Sequence, residues 1–321
     1  MADVPMSVDI LEEGPREAFQ IEPGPIATAD KIALIDALSA TGLKRIQVAS
    51  FVNPKKVPGW ADADAVVAGF APAPGVAYQA LYFNPQGLRR ALAFRDRLTV
   101  VGSITLSASD AFSLRNLNRD RAGQLAAMRE HVAVHREAGV PVTRLSIMAA
   151  FGCNFSGDVP VERVLATVAD GLAVADETGA RISRLSLADS MGWETPGRTG
   201  ALVGAVRARW PDLPLTLHLH DTRGMAVACA HVALGMGVSS FDASVGGLGG
   251  CPFAAQPGAP GNIAPEELVV LCEEMGIETG IDLDALIEAA LLARRIVGHP
   301  LPSALVLGGG LAAMRRAAAV A

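Results

Sequence analysis

Apolar and polar positions follow two rhythms along this chain, and the rhythms take turns. Short runs with period-2 or continuous apolar character precede longer runs with a 3.6-residue period, the signatures of strands and amphipathic helices. Strands are predicted over 8–11, 45–51, 76–82, 98–104, 142–149, 181–187, 213–219 and 239–243. Helices are predicted over 30–41, 62–70, 87–97, 119–138, 161–178, 199–210, 225–236 and 265–275, the first opened by Asp30 as N-cap. Gly139, Gly179 and Gly237 close three of these runs, where a left-handed C-cap suits glycine. Eight strands, each followed by a helix, predict an α/β fold, the (β/α)8 TIM barrel, because βαβ alternation demands a parallel sheet. A doubly wound sheet is the competitor, but no dinucleotide fingerprint follows the first strand. Residues 1–276 read as the barrel catalytic domain. Residues 277–321 read as a C-terminal helical extension packed on it, including a helix over 283–297.

The stretch from Leu215 to Gly224 adds chemistry to this frame. Leu215, Leu217 and Leu219 alternate with Thr216, His218 and His220, so both imidazoles point to one side of a strand. A metal site satisfies this pattern, and so does a polar inner face with two separately hydrogen-bonded histidines. In a barrel, catalytic groups occupy the C-terminal rim. Unusual polar residues fall there repeatedly: Glu12 to Gln20 after strand 1, Gln47 with Ser50 to Lys55 after strand 2, and Ser107 to Asp110 after strand 4. Phe151 to Asn154, Asp189 to Gly192, and the loop Gly246 to Phe253 closing at Gly261-Asn262 complete the set. His131 and His135, four residues apart in a helical run, read as a solvated face.

Composition narrows the function. The 321 residues suffice for one barrel, and 50% hydrophobic residues with 33 glycines fit a compact enzyme. A net charge of −6 argues against nucleic-acid binding. The mean hydropathy of +0.33 comes from dispersed alanine, leucine and valine, with no membrane-spanning run, so no membrane partner is expected. Cys153, Cys229, Cys251 and Cys272 form no C-x-x-C pair. With no basic, apolar leader in Met1 to Ser7, a cytoplasmic, reducing compartment is expected.

Gly14-Pro-Arg16-Glu17, Ser50-Phe-Val-Asn53-Pro-Lys55, His218-Leu-His220-Asp221-Thr, Gly247-Leu-Gly-Gly-Cys251-Pro-Phe and Gly261-Asn262 together resemble the 3-hydroxy-3-methylglutaryl-CoA (HMG-CoA) lyases. These belong to the DRE-TIM metallolyases. The likeness runs from about Val8 to Val297 and takes in Asn116-Leu-Asn118 and Thr195-Pro-Gly197. It implies a divalent metal held by Glu17, His218, His220 and Asn262, with Mg2+ or Mn2+ expected and Zn2+ also compatible with the histidines. It implies Arg16 as stabiliser of the thioester oxyanion, Asp189 as base or metal-orienting group, and Cys251 as proton carrier in a closing loop. Asp221 would orient an imidazole. Gln20, Phe19, Gln47, Asn53 and Lys55 become substrate-site candidates. The implied partner is a small acyl-CoA substrate, and the implied assembly a homodimer.

Two departures from the family pattern stand out. Its Arg-Asp-Gly motif is Arg16-Glu17-Ala18-Phe19 here, with a longer acid and added bulk. Its superfamily glutamate is Gln47, which keeps hydrogen bonding and removes a charge near Arg16. A retro-Claisen lyase acting on a longer or differently branched 3-hydroxyacyl-CoA is expected. A Claisen-type synthase, a pyruvate-releasing aldolase on the same barrel, and a non-catalytic metal- or acyl-CoA-binding paralogue are the alternatives.

Overall fold

The structure is a computed structural model, described for residues 4–250 and 260–320. Its elements alternate along the chain as the patterning predicts. β1 (Asp9–Glu12) leads into α1 (Gly14–Ile21) and α2 (Thr28–Ser39), β2 (Arg45–Ser50) into α3 (Ala63–Gly69), and β3 (Ala77–Leu81) into α4 (Pro85–Ala93). β4 (Gly102–Ser107) precedes α5 (Asp110–Leu117) and α6 (Arg121–Glu137), β5 (Val142–Met148) precedes α7 (Val161–Thr178), and β6 (Arg184–Ala188) precedes α8 (Pro196–Arg209). β7 (Leu215–His218) is followed by α9 (Ala226–Gly235), and β8 (Ser240–Ala243) by a 3-10 turn (Val245–Gly247) and α10 (Pro265–Glu274). α11 (Leu283–Val297), α12 (Leu305–Gly308) and α13 (Leu311–Val320) complete the chain. This is the (β/α)8 barrel fold with additional C-terminal helices.

Among the described residues the chain forms two compact units. One holds residues 6–99, 241–250 and 260–320; the other holds 4, 5 and 100–240. In the first, strands run in the order β3-β2-β1-β8, with β1–β2 and β2–β3 parallel. In the second the order is β7-β6-β5-β4, again parallel. Register in the second unit sets the faces. Ser146 pairs with Ser186, Ser186 with Thr216 and Ala188 with His218, so one polar row runs across three strands to the histidine. Arg144 donates to Ser186 Oγ at 2.8 Å and Thr216 to Ser240 Oγ at 3.1 Å, satisfying that row internally. The opposite face carries Leu145, Ile147, Leu185, Leu187 and Leu217, all fully buried, each adding about 2 kcal/mol of transfer free energy.

Several boundaries differ from the patterning. The stretch after strand 1, for which the patterning predicts no element, is helix α1: Pro15 sits in its first turn, and two turns are too short to display a period. α5 was hidden the same way, capped by Ser109 Oγ accepting from Phe112 N at 3.2 Å. The fourth strand begins at Gly102 instead of Leu98, because Thr99 N bonds Tyr78 O (2.7 Å) beside β3. α2 starts at Thr28, leaving Asp30 in its first turn and not at the cap.

Candidate active site

In the second unit, β7 delivers His218 to the end of the polar row, and His220 follows after one buried leucine. The two Nε2 atoms face each other at 3.1 Å, with ring centroids 5.1 Å apart. Two donors about 2.1 Å from one cation, at right angles, lie about 3.0 Å apart. The pair is therefore spaced for adjacent coordination positions; with one ring protonated it is a hydrogen bond. Asp189, fully buried at the end of β6, accepts from Trp193 N (2.8 Å) and Glu194 N (3.1 Å). Burial pushes its pKa up to about 7, opposed by the Trp193 amide and the neighbouring His218 and Arg223 charges. Asp221 Oδ1 accepts from Ala226 N (2.8 Å) and tethers the start of α9.

The first unit builds an oxygen-rich cluster on α1. Glu17 is 8% exposed, and its Oε1 accepts from Asn262 Nδ2 (2.8 Å) and Gly250 N (2.9 Å). Asn262 also donates to Leu248 O at 3.2 Å, so both of its amide hydrogens are directed and the amide orientation is set. That leaves Asn262 Oδ1 buried with no hydrogen-bond partner among the described residues. A buried, oriented acceptor without a donor is costly unless something electropositive meets it, and a hard cation does so. The glycines of the adjoining loop permit this packing. A Cβ at Gly249 would lie 2.9 Å from Asn262 Nδ2 and from Glu17 Cγ, and one at Gly261 would lie 2.0 Å from Gly249 O.

Arg16 stands beside Glu17 on α1. Its Nη2 contacts Glu13 Oε2 and Glu17 Oε2, each at 3.0 Å, and its Nε donates to Gln47 Oε1. Trp60 Nε1 donates to Arg16 O (2.9 Å), pinning the helix. Phe19 is 2% exposed and packed against Trp60 at 6.4 Å, so its bulk lies in the packing of α1 and not on an open face. Gln20 lies on the last turn of the same helix. Asn53 and Lys55 sit on the loop after β2, where Asn53 Oδ1 accepts from Lys55 N (2.9 Å). Asn53 lines a cavity of about 170 Å³ between that loop and the start of α4. Cys251 lies outside the described residues.

Two buried acids, one on the predicted rim and one outside it, hold backbone amides. Glu12 Oε1 accepts from Gly14 N (2.7 Å) and Val245 N (3.0 Å), and Glu266 Oε1 from Gly246 N (2.9 Å). Both are fully buried, and burial pushes their pKa values to about 8 and about 7. Together they grip the turn at the base of the glycine-rich loop. Glu266 resembled an ordinary first-turn acid of α10, but Glu12 beside Glu13 at a strand end was a visible anomaly. His135 is also buried, not solvated; its ring lies 4.0 Å from that of His131, whose pKa burial lowers to about 4.

Comparison with known proteins places the chain in a family. A family model described as HMGL-like matches residues 7–292. Hydroxymethylglutaryl-CoA lyase YngG of Bacillus subtilis is 40% identical over 299 residues, 93% of this chain and 96% of the relative. The 3-hydroxy-3-isohexenylglutaryl-CoA/hydroxymethylglutaryl-CoA lyase of Pseudomonas aeruginosa is 40% identical, covering 92% of this chain and 95% of the relative. A solved HMG-CoA lyase from Acinetobacter baumannii, in complex with coenzyme A and 3-methylmalate, superposes with a TM-score of 0.84 at 36% identity, covering 97% and 98% of the two chains. On the family match, these identities and the structural likeness, the chain belongs to the HMGL-like family and is a hydroxymethylglutaryl-CoA lyase-like enzyme on a (β/α)8 barrel.

Proposed function

We propose that the protein is a divalent-metal-dependent carbon–carbon lyase that cleaves a 3-hydroxy-3-substituted acyl-CoA to acetyl-CoA and a 3-oxo acid. The observation that carries this reading is the oriented, unpartnered Asn262 Oδ1 beside Glu17, on a chain whose relatives are lyases of this type. Glu17, Asn262, His218 and His220 would hold the cation, a set of oxygen and imidazole donors that suits Mg2+ or Mn2+. Such a cation, when bound, supplies Lewis acidity that makes the substrate alcohol easier to deprotonate.

The chain's own residues do the remaining work. Asp189 takes the proton of the tertiary alcohol. The carbonyl then forms as the C2–C3 bond breaks, and the electron pair passes to the thioester as an enolate. Arg16 places a permanent positive charge toward the thioester oxygen, where negative charge develops. Cys251 returns a proton to the enolate carbon, giving acetyl-CoA. Acyl-CoA as substrate is supported by the coenzyme A complex of the Acinetobacter relative. A branch longer than methyl is supported by the name of the Pseudomonas relative. Cys153, Cys229 and Cys272 are free thiols, in keeping with a reducing, cytoplasmic setting. The homodimer implied by resemblance belongs to the same reading, and sedimentation analysis checks it.

The deciding experiment measures acetyl-CoA release from hydroxymethylglutaryl-, citramalyl- and isoprenoid-branched glutaryl-CoA with Mg2+ or Mn2+. No release from any of them sinks the assignment. Metal binding has its own readout: His218→Ala and Asn262→Ala should each weaken Mn2+ binding about 10-fold or more, followed by titration without substrate.

A further inference from the structure

Arg16 raises a question that the proposed mechanism leaves open. Its side chain is 11% exposed, and a guanidinium so withdrawn from water needs counter-charge. Its Nε donates to Gln47 Oε1, a neutral acceptor. An amide oxygen accepts the guanidinium's hydrogen bond but supplies no negative charge to offset the buried cation. Glu17 cannot make up the difference alone. Its Oε1 is engaged by Asn262 and Gly250, and the proposed function commits its charge to a metal ion.

Glu13 is placed to do so. It is 5% exposed, lies three residues before Arg16, and holds Nη2 at 3.0 Å while Gln47 accepts from Nε. Gln47 is likewise buried, at 8% exposure, so neither position is an ordinary surface choice. The chain thus lacks an acid at one contact of Arg16 and carries one at another contact of the same guanidinium. We infer that Glu13 is a positioning residue that carries, from the start of α1, the counter-charge that a glutamate at position 47 would otherwise supply to Arg16. This inference rests on the lyase reading, in which Arg16 faces the developing oxyanion. Glu13 acts through Arg16: it fixes the guanidinium's direction.

The test is a charge-transposition series: the parent, Glu13→Gln, Glu13→Asp, Gln47→Glu and the double variant Glu13→Gln/Gln47→Glu. Each is assayed for kcat and KM with Mn2+ and the best thioester substrate, and for its thermal midpoint. Glu13→Gln should lower kcat about 10- to 100-fold, the range of a lost charged hydrogen bond, with KM changed less than about 3-fold. Glu13→Asp should stay within about 5-fold of the parent, and the double variant should return to about that level. A Glu13→Gln protein at parental rate, or a double variant no faster than Glu13→Gln, overturns the inference. Should Glu13→Gln not fold, recovery of a folded, active double variant supports the transposition, and its failure overturns it. The lyase reading fails separately, through a parent inactive on every thioester. The thermal midpoints need no substrate and would still report whether charge at 47 replaces charge at 13.

Discussion

Replacing Glu12 by glutamine should make the protein more stable in mild alkali, although it removes a buried acid next to the candidate site. Burial raises the Glu12 pKa from 4.5 to about 8, against the opposing amides of Val245 and Gly14. Above pH 4.5 the unfolded chain has released this proton while the folded protein retains it. Stability then falls with rising pH by about 1.4 kcal/mol per pH unit, and levels off once the folded group ionises near pH 8. The full span is ~5 kcal/mol. Relaxation and water entry around the ionised group reduce it, so about 2–3 kcal/mol is the expected advantage of Glu12→Gln at pH 8.5 relative to pH 5. Glutamine retains the oxygen that accepts from Gly14 N and Val245 N, so at pH 5 the two proteins should match. Urea unfolding followed by circular dichroism at pH 5, 6, 7 and 8.5 measures this. With a slope near 3 kcal/mol per molar, the midpoints should separate by about 1 M at the highest pH. Parallel curves for the two proteins across the range would refute the reasoning, because they would mean that Glu12 is ionised in the folded state from pH 5 upward.

Other expectations follow from single contacts. Gly261→Ala should cost about 2 kcal/mol or more, because its Cβ would meet the Gly249 carbonyl at 2.0 Å, where no rotamer can give way. Gly197→Ala, with nothing within 4 Å, should be neutral or slightly stabilising; equal thermal midpoints for the two variants would contradict this. Asp189→Asn should lower kcat about 100-fold or more while the thermal midpoint moves only a few degrees, and a loss under tenfold would remove it as the base. Lys31→Met should cost about 2 kcal/mol by calorimetry. It strips the 2.6 Å bonds to Gly59 O and Asp62 Oδ1, and Thr28 still serves Asp62. A change below about 0.5 kcal/mol would show that the buried ammonium contributes nothing net.

Much of this protein was legible in its sequence, for reasons that are local. Strand and helix periods are written in neighbouring residues, and eight repeats of one unit leave few topologies open. The histidine pair was readable because strand geometry alone sends residues 218 and 220 to the same side. The family motifs, dense in glycine, named the lyase branch, and Gly249 and Gly261 sit where any side chain would collide with Glu17, Asn262 or the facing backbone.

What escaped was whatever depends on environment instead of spacing. Two-turn helices such as α1 show no period, so the patterning predicts no element over Arg16, Glu17 and Phe19. Phe19 was expected to crowd an opening, but Trp60 receives it inside the packing. Charge and hydration are likewise properties of surroundings. Glu12 is a rim acid and Glu266 a first-turn acid in the sequence, and only their complete burial raises their pKa values and turns them to the backbone of residues 245 and 246. Gln47 looked like a lost charge. The fold shows a second acid, Glu13, on the same guanidinium, a compensation that arises where a helix and a strand distant in sequence come together. The sequence by itself determined the fold and the family. Tertiary structure decided which of the candidate residues are dry, which are paired and how each is held, because desolvation and long-range contact exist only once the chain has closed on itself.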